Sequence, residues 1–200
     1  MRMLVAGMAT LIALAGLTPA RATLSQNVAQ YLPLIGSAQN GGATFTRQCP
    51  PDQVLTGARV RLGRVIDAIG IKCRAVLTSG SLGAESDVGS LIGGTSGLLA
   101  AGSCPAGSVI VGQAGSATPS GIAQFVLRCR AWDAATRSWG GATTALIQLL
   151  AGANPTVVVA SQAQALRESV DCSHQTQPAI QFRGRAGTIV DALGVTCDEP

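Results

Sequence analysis

Six cysteines, at positions 49, 73, 104, 129, 172 and 197, fall into three pairs separated by 24, 25 and 25 residues. Six thiols allow 15 connectivities, and the equal spacings single out Cys49–Cys73, Cys104–Cys129 and Cys172–Cys197. No two cysteines stand in a Cys-x-x-Cys arrangement, so the pattern does not suggest zinc binding or dithiol redox chemistry. Three near-equal loops, each closed by its own disulfide, imply three copies of one structural unit. Such a repeat fixes the architecture before any strand is assigned.

The copies are legible residue by residue. The first reads GGATFTRQCPPDQVLTGARVRLGRVIDAIGIKC from Gly41, and the second GGTSGLLAAGSCPAGSVIVGQAGSATPSGIAQFVLRC from Gly93. The third opens with GGATT at Gly140, carries a longer apolar insertion, resumes at Cys172 and ends RAGTIVDALGVTC at Cys197. Each copy opens on Gly-Gly, passes a cysteine and closes on a second cysteine at the end of an alternating apolar strand. The repeats span roughly residues 36–76, 88–131 and 139–198.

Within a unit the hydrophobic period is two. Val54, Thr56, Ala58, Val60 and Leu62 alternate with Leu55, Gly57, Arg59 and Arg61; after a glycine, Val65, Asp67, Ile69, Ile71 and Cys73 alternate in turn. Period two on both sides of a glycine predicts a hairpin. With both apolar sets on one core, Leu62 is expected opposite Val65, with Gly63-Arg64 as a two-residue type II′ turn. The third unit repeats this, with Gly187-Thr188 as the turn and Phe182 opposite Leu193. Arg59, Arg61, Arg183 and Arg185 then face solvent, while Asp67 and Asp191 fall on the apolar face opposite Val60 and Gly184. A carboxylate so placed needs a hydrogen-bonding partner, either its own turn's backbone or the hydroxyls of a ligand.

Helical signal is weak, the best run being Ser161 to Glu168, a short helix or a loop. With 25 glycines and nine prolines the chain reads as all-β, built from many short strands. Three pseudo-equivalent units leave a β-prism of three small sheets or a β-trefoil, and hairpin-centred repeats opening on Gly-Gly fit the prism better.

The N-terminus carries Arg2, an apolar run from Leu4 to Leu17 and an Ala-x-Ala pattern ending at Ala22. Residues 1–22 are therefore expected to be a secretory signal peptide, leaving residues 23–200 as one domain and no membrane span after cleavage. The run is shorter than the roughly 18 apolar residues of a spanning helix. An exported chain, secreted or periplasmic, also suits three disulfides. Loss of Arg2 and Arg21 lowers the net charge from +4 to +2, and no basic stripe of a nucleic-acid binder remains. The only histidine, His174, has no nucleophile motif to serve, and no Gly-x-Ser-x-Gly, His-Glu-x-x-His or phosphate-binding loop occurs. No enzymatic activity, cofactor or metal is expected. Trp132 and Trp139 bracket the loop WDAATRSW, with packing between repeats two and three as their expected role.

The Gly-x-x-x-Asp hairpins, Gly63 to Asp67 and Gly187 to Asp191, resemble those of the jacalin-type lectins, as does Gly-Gly-Ala-Thr-Phe at 41–45 followed by Val54-Leu55-x-Gly57. The three-unit layout is also similar to that of vitelline membrane outer layer proteins. The resemblance implies a β-prism of three four-stranded Greek-key sheets. It also implies a carbohydrate site at each Gly-x-x-x-Asp loop, where the aspartate accepts hydrogen bonds from sugar hydroxyls. Carried over by position, the site residues are Gly63, Asp67, Gly187 and Asp191. Repeat two departs from the pattern, with Pro119 in place of the glycine and Ala123 in place of the aspartate. Neither loop has an aromatic residue, and aromatics make up 3% of the chain. The expected function is a secreted lectin-like module whose partners are glycans. The alternative is a structural or protein-interaction module of the envelope or extracellular layer, with an extracellular protein as partner and no sugar bound.

Overall fold

The computed structural model describes residues 24, 27–37, 41–161 and 169–198. The expected signal segment lies outside the described residues, as does the candidate helix except for Ser161, which is a bend. Among the described residues fourteen strands form three antiparallel sheets. In chain order they begin with β1 (Val28–Tyr31), β2 (Ile35–Gly36), β3 (Ala43–Gln48), β4 (Gln53–Leu62) and β5 (Ile66–Val76). Then come β6 (Leu82–Gly93), β7 (Leu98–Ser103), β8 (Ser108–Thr118), β9 (Gly121–Asp133) and β10 (Ser138–Leu150). The last four are β11 (Thr156–Ala160), β12 (Val170–Asp171), β13 (Ala179–Ala186) and β14 (Val190–Asp198).

Each sheet is centred on one hairpin of the repeat. The first sheet has the order β6-β5-β4-β7, the second β11-β10-β9-β8-β12, and the third β1-β14-β13-β3 with β2 also paired to β14. One flank of a hairpin is the strand that follows it, β6 or β10; in the third sheet β1 fills that place. The other flank belongs to the next repeat, since β7, β12 and β3 pair with β4, β8 and β13. Each unit thus lends its leading strand to its neighbour's sheet, and the exchange closes in a circle. Three main-chain bonds record the threefold relation: the amides of Cys104, Cys172 and Cys49 donate to the carbonyls of Thr56, Val111 and Ile180 at 2.7, 2.7 and 2.8 Å.

This exchange gives the disulfides their mechanical role. All three expected pairs form, and all six cysteines are buried. Cys49 follows β3 of the third sheet and is bonded to Cys73 on β5 of the first. Cys104, after β7, joins the first sheet to the second, and Cys172, after β12, joins the second to the third. A pairing that is local in sequence is a staple across a seam between sheets.

The architecture is the expected β-prism; three discrete sheets around one core set aside the β-trefoil. The second and third sheets each carry a fifth strand beyond the four expected. The core draws on all three, with Val60, Leu62 and Ile69 meeting Ile110, Phe125 and Leu127, and Phe182, Leu193 and Val195. Phe125 and Phe182 meet edge to face across a seam, with ring centroids 6.1 Å apart. Buried Gln113 ties the second sheet to the third: its Nε2 donates to the Pro33 carbonyl at 2.5 Å and its Oε1 accepts from the Val195 amide at 2.6 Å. Gln113→Ala leaves both backbone groups without that partner, so we expect a loss of about 2 kcal/mol. Urea denaturation, with its slope unchanged, is the measurement that checks it.

The hairpin tips differ from the sequence expectation. Val60 pairs with Ile69 instead of Asp67, Leu62 with Ile66 instead of Val65, and Phe182 with Val195 instead of Leu193. The tips are three-residue loops, 63–65 and 187–189, in which Gly63 and Gly187 donate to the carbonyls of Val65 and Ile189 at 3.0 and 2.9 Å. Matching register shifts after Arg61 and Arg185 take up the extra residue. Neither Gly63 nor Gly187 has a positive φ, so the type II′ assignment does not hold. In mid-hairpin, from Gly57 to Arg61, the displacement is two residues and keeps paired side chains on their expected faces, which is why hydrophobic alternation fits both registers there. At the first tip it is one residue, and Ile66, outside the expected apolar set, is fully buried in the core.

The Gly-Gly openings also need realignment. Gly42 and Gly97, not Gly42 and Gly94, are counterparts: each directly precedes a leading strand, seven residues before the first cysteine of its repeat. Gly140-Gly141 lies within β10 at a register shift, on the flank of the second sheet.

Candidate functional site

The three hairpin tips meet at one end of the prism. Gly121, at the tip of β8–β9, lies against the side chains of Val65 and Ile189 from the other two tips. Beside each tip one carbonyl is held by the loop that follows the sheet's flanking strand. The amides of Gly94, Ala151 and Ser37 donate to the carbonyls of Asp67, Ala123 and Asp191 at 2.8, 3.0 and 3.0 Å. Positions 67, 123 and 191 are therefore structural equivalents. Two of them carry a carboxylate and the third an alanine, in agreement with the repeat alignment.

Asp67 is 8% exposed, and its Oδ2 is buried with no hydrogen-bond donor. Two glycines wall it in: a Cβ on Gly63 or Gly97 would stand 2.6 or 2.5 Å from that oxygen. Gly97 also adopts φ +80°, so any side chain there would be both strained and in collision. Arg61 steadies the loop by donating from Nη1 to the Gly97 carbonyl at 3.3 Å. Asp191 is equally buried, and a Cβ on Gly42 would collide with its carboxylate. Gly187 lies beside Gly42. All four sequence-predicted residues thus reach the tip end, as two sites: Gly63 with Asp67, and Gly187 with Asp191. Gly97 and Gly42 complete them and are not among the sequence-predicted site residues. Their signal in the sequence is the common distance to the following cysteine.

Burial pushes the Asp67 carboxyl above its ordinary value of 3.8. Glu85 on β6 shows how this chain treats a structural carboxylate. Burial also acts to raise its pKa, but Lys72, Ser103 and Thr56 donate to it at 2.7, 2.7 and 2.8 Å, and with the Lys72 charge they hold the carboxyl below its usual range. Glu85 is saturated by its own protein, whereas Oδ2 of Asp67 is not. A buried acceptor without a donor costs about 1–3 kcal/mol.

The remaining candidates lie elsewhere. Trp132 and Trp139 are buried at the opposite end and pair with each other across β9 and β10, the contact expected between repeats two and three. The Trp132 indole, however, donates to the Gly80 carbonyl at 2.8 Å, in the connection between repeats one and two, and that of Trp139 to the Gln177 carbonyl at 3.2 Å. His174 is exposed in the loop after Cys172, and its main-chain amide donates to the Gln177 side chain at 3.2 Å. Among the described residues no cluster of three or more histidine, cysteine, aspartate or glutamate residues is placed to hold a metal.

No protein-family model matches the chain, and no curated protein sequence matches it significantly. Solved structures do match. Wild-type Malaysian banana lectin superposes with a TM-score of 0.51 at 19% identity, covering 84% of this chain and 96% of that one. The mannose-binding lectin from champedak gives 0.52 at 11% identity, over 86% and 97% of the two chains. Single-chain recombinant jacalin gives 0.50 at 11% identity, over 92% and 100%. The chain has the β-prism fold of jacalin and these lectins.

Proposed function

We propose that this β-prism is a secreted, non-catalytic carbohydrate-binding module with two sites, one at Asp67 and one at Asp191. The observation that carries the reading is the Asp67 carboxylate: placed at the hairpin tip between Gly63 and Gly97, it lacks the protein donors that saturate Glu85. A carboxylate accepts strong charge-assisted hydrogen bonds from hydroxyls, and saccharides present hydroxyls in adjacent pairs. Glycine walls let a sugar ring approach the backbone closely, which no larger residue would permit. The champedak lectin, which shares the fold, binds mannose, and mannosides are therefore the first saccharides to try. Three disulfides and the predicted signal segment support export.

A second reading, a structural or protein-interaction module, draws on the composition of the tips. None of the loop residues 63–65 or 187–189 is aromatic, so no side chain there stacks on a sugar face. Calorimetric titration with mannosides separates the two readings by stoichiometry. The carbohydrate reading predicts two sites per chain, and one in each of Asp67→Asn and Asp191→Asn. An absence of heat, or a stoichiometry that neither substitution changes, supports the structural reading.

The raised pKa adds a pH dependence. In an Asp191→Asn background only the Asp67 site remains, and it needs the ionised carboxylate. Affinity should therefore fall, as pH is lowered, at a value above the 3.8 of an ordinary aspartate. Affinity that holds unchanged down to pH 3.8 would contradict it.

A further inference from the structure

The outer faces of the first and third sheets carry equivalent grooves that differ in charge. Arg59 and Arg183 are counterparts, each paired with a glycine of the partner strand, Gly70 or Gly194. Arg61 and Arg185 are likewise paired with Ala68 and Ala192. In the first sheet the two cations lining the groove are neutralised, Arg59 by Asp87 at 3.1 Å and Lys72 by Glu85 at 2.7 Å, whereas Arg61 lies outside the groove lining and donates to the Gly97 carbonyl. Both acids come from β6. In the third sheet β1 stands in that place, and its sequence, VAQY, contains no acid.

Arg183 and Arg185 line the third-sheet groove with Thr44, Thr46 and Leu34. Arg183 lies over the Tyr31 ring at 4.7 Å and donates to the Leu32 carbonyl at 2.9 Å, so it is held in place. Arg185 has its Nε buried without an acceptor. Among the described residues neither arginine forms an ion pair. The groove starts at the Asp191 site: Arg185 pairs with Thr44 and Ala186 with Ala43, one residue from Gly42, which packs on the Asp191 carboxylate together with Ala186.

We infer that this groove is an anion subsite extending from the Asp191 site, and that its ligand is a saccharide chain bearing a carboxylate or sulfate group. The inference rests on the carbohydrate reading of Asp191. A neutral sugar unit seats against Asp191, and the next unit places its anionic group on Arg185 and Arg183, whose guanidinium groups suit both oxyanions.

The test is calorimetric titration of the full chain with three probes: mannotriose, the corresponding mannuronate trisaccharide, and mannotriose sulfated at O6. The expected result is about tenfold tighter binding of an anionic probe than of mannotriose, the size of one added charge-assisted contact. An advantage for only one anionic probe identifies its group as the carboxylate or the sulfate. Arg185→Gln, which breaks no side-chain bond among the described residues, should remove most of the advantage, and Arg183→Gln with Arg185→Gln all of it, the advantage being read as the ratio to mannotriose in the same variant. Arg59→Gln, in the neutralised groove, should keep the advantage. Asp191→Asn should abolish the advantage while the Asp67 site still takes mannotriose. Equal affinity for all three probes overturns the subsite while leaving the Asp191 reading intact; so does an advantage that survives both arginine replacements or Asp191→Asn. Failure of mannotriose to bind at either aspartate site overturns the carbohydrate reading itself.

Discussion

Replacing Asp67 and Asp191 together by asparagine is expected to abolish saccharide binding while leaving the melting temperature unchanged or higher. In the proposed reading each carboxylate accepts charge-assisted hydrogen bonds worth roughly 1.5–3 kcal/mol apiece, so losing two at one site would weaken affinity at least about a hundredfold. Stability moves the other way at Asp67. Its folded pKa is raised by burial, so its contribution to stability is fully present below 3.8 and is lost as pH rises through the folded value. At neutral pH the ionised group is a burden on the fold, and an amide of the same shape relieves it. Glu85→Gln is the control, because that carboxylate is ionised and saturated by Lys72, Ser103 and Thr56. Neutralising it should lower stability, as expected for a group whose folded pKa is depressed and whose contribution is present above the unfolded value. Scanning calorimetry at neutral pH distinguishes the two. A double aspartate variant that melts well below the parent would mean that Asp67 and Asp191 are structural.

Replacement of any one disulfide by a pair of serines is expected to cost about 3 kcal/mol, the entropy of a closed loop of some 25 residues. The three loops have nearly equal length, and each closes a different seam, so the three penalties should be similar. Taken together they reach the whole stability of a typical domain, about 5–15 kcal/mol, and the fully reduced chain should lose its native structure. Guanidinium denaturation of the three double-serine variants, with far-UV spectra of the reduced parent, checks both statements. A reduced chain that keeps a cooperative transition would show that the apolar core alone holds the seams.

Much of this molecule is legible in its sequence, and the parts that are not share a physical cause. Cysteine spacing yields the pairing, and alternation yields strands with Arg59 and Arg183 outward and Ile69 and Phe182 inward. Neither signal contains the strand exchange, because Cys49 and Cys73 are equally close in sequence whether or not their strands share a sheet. Alternation is also blind to a two-residue slip, which is why it places Val60 opposite Asp67 when the partner is Ile69. Within the site, the Gly-x-x-x-Asp spacing exposes Asp67 and Asp191 directly. Gly97 is obscured by the neighbouring Gly93-Gly94 pair, which draws the alignment of the repeats toward the wrong glycines. The charge contrast between the first and third grooves depends on which strand flanks each hairpin, and that is a property of topology alone.

The central claim, that the Gly-x-x-x-Asp tips are saccharide sites, is tested most directly by amide chemical-shift mapping of the ¹⁵N-labelled chain during titration with mannotriose. The predicted result is saturable shifts at Gly42, Gly63, Gly97 and Gly187, with the indole signals of Trp132 and Trp139 at the opposite end unmoved. Shifts confined to the tryptophan end, or no saturable shift at any of those four glycines, would contradict it.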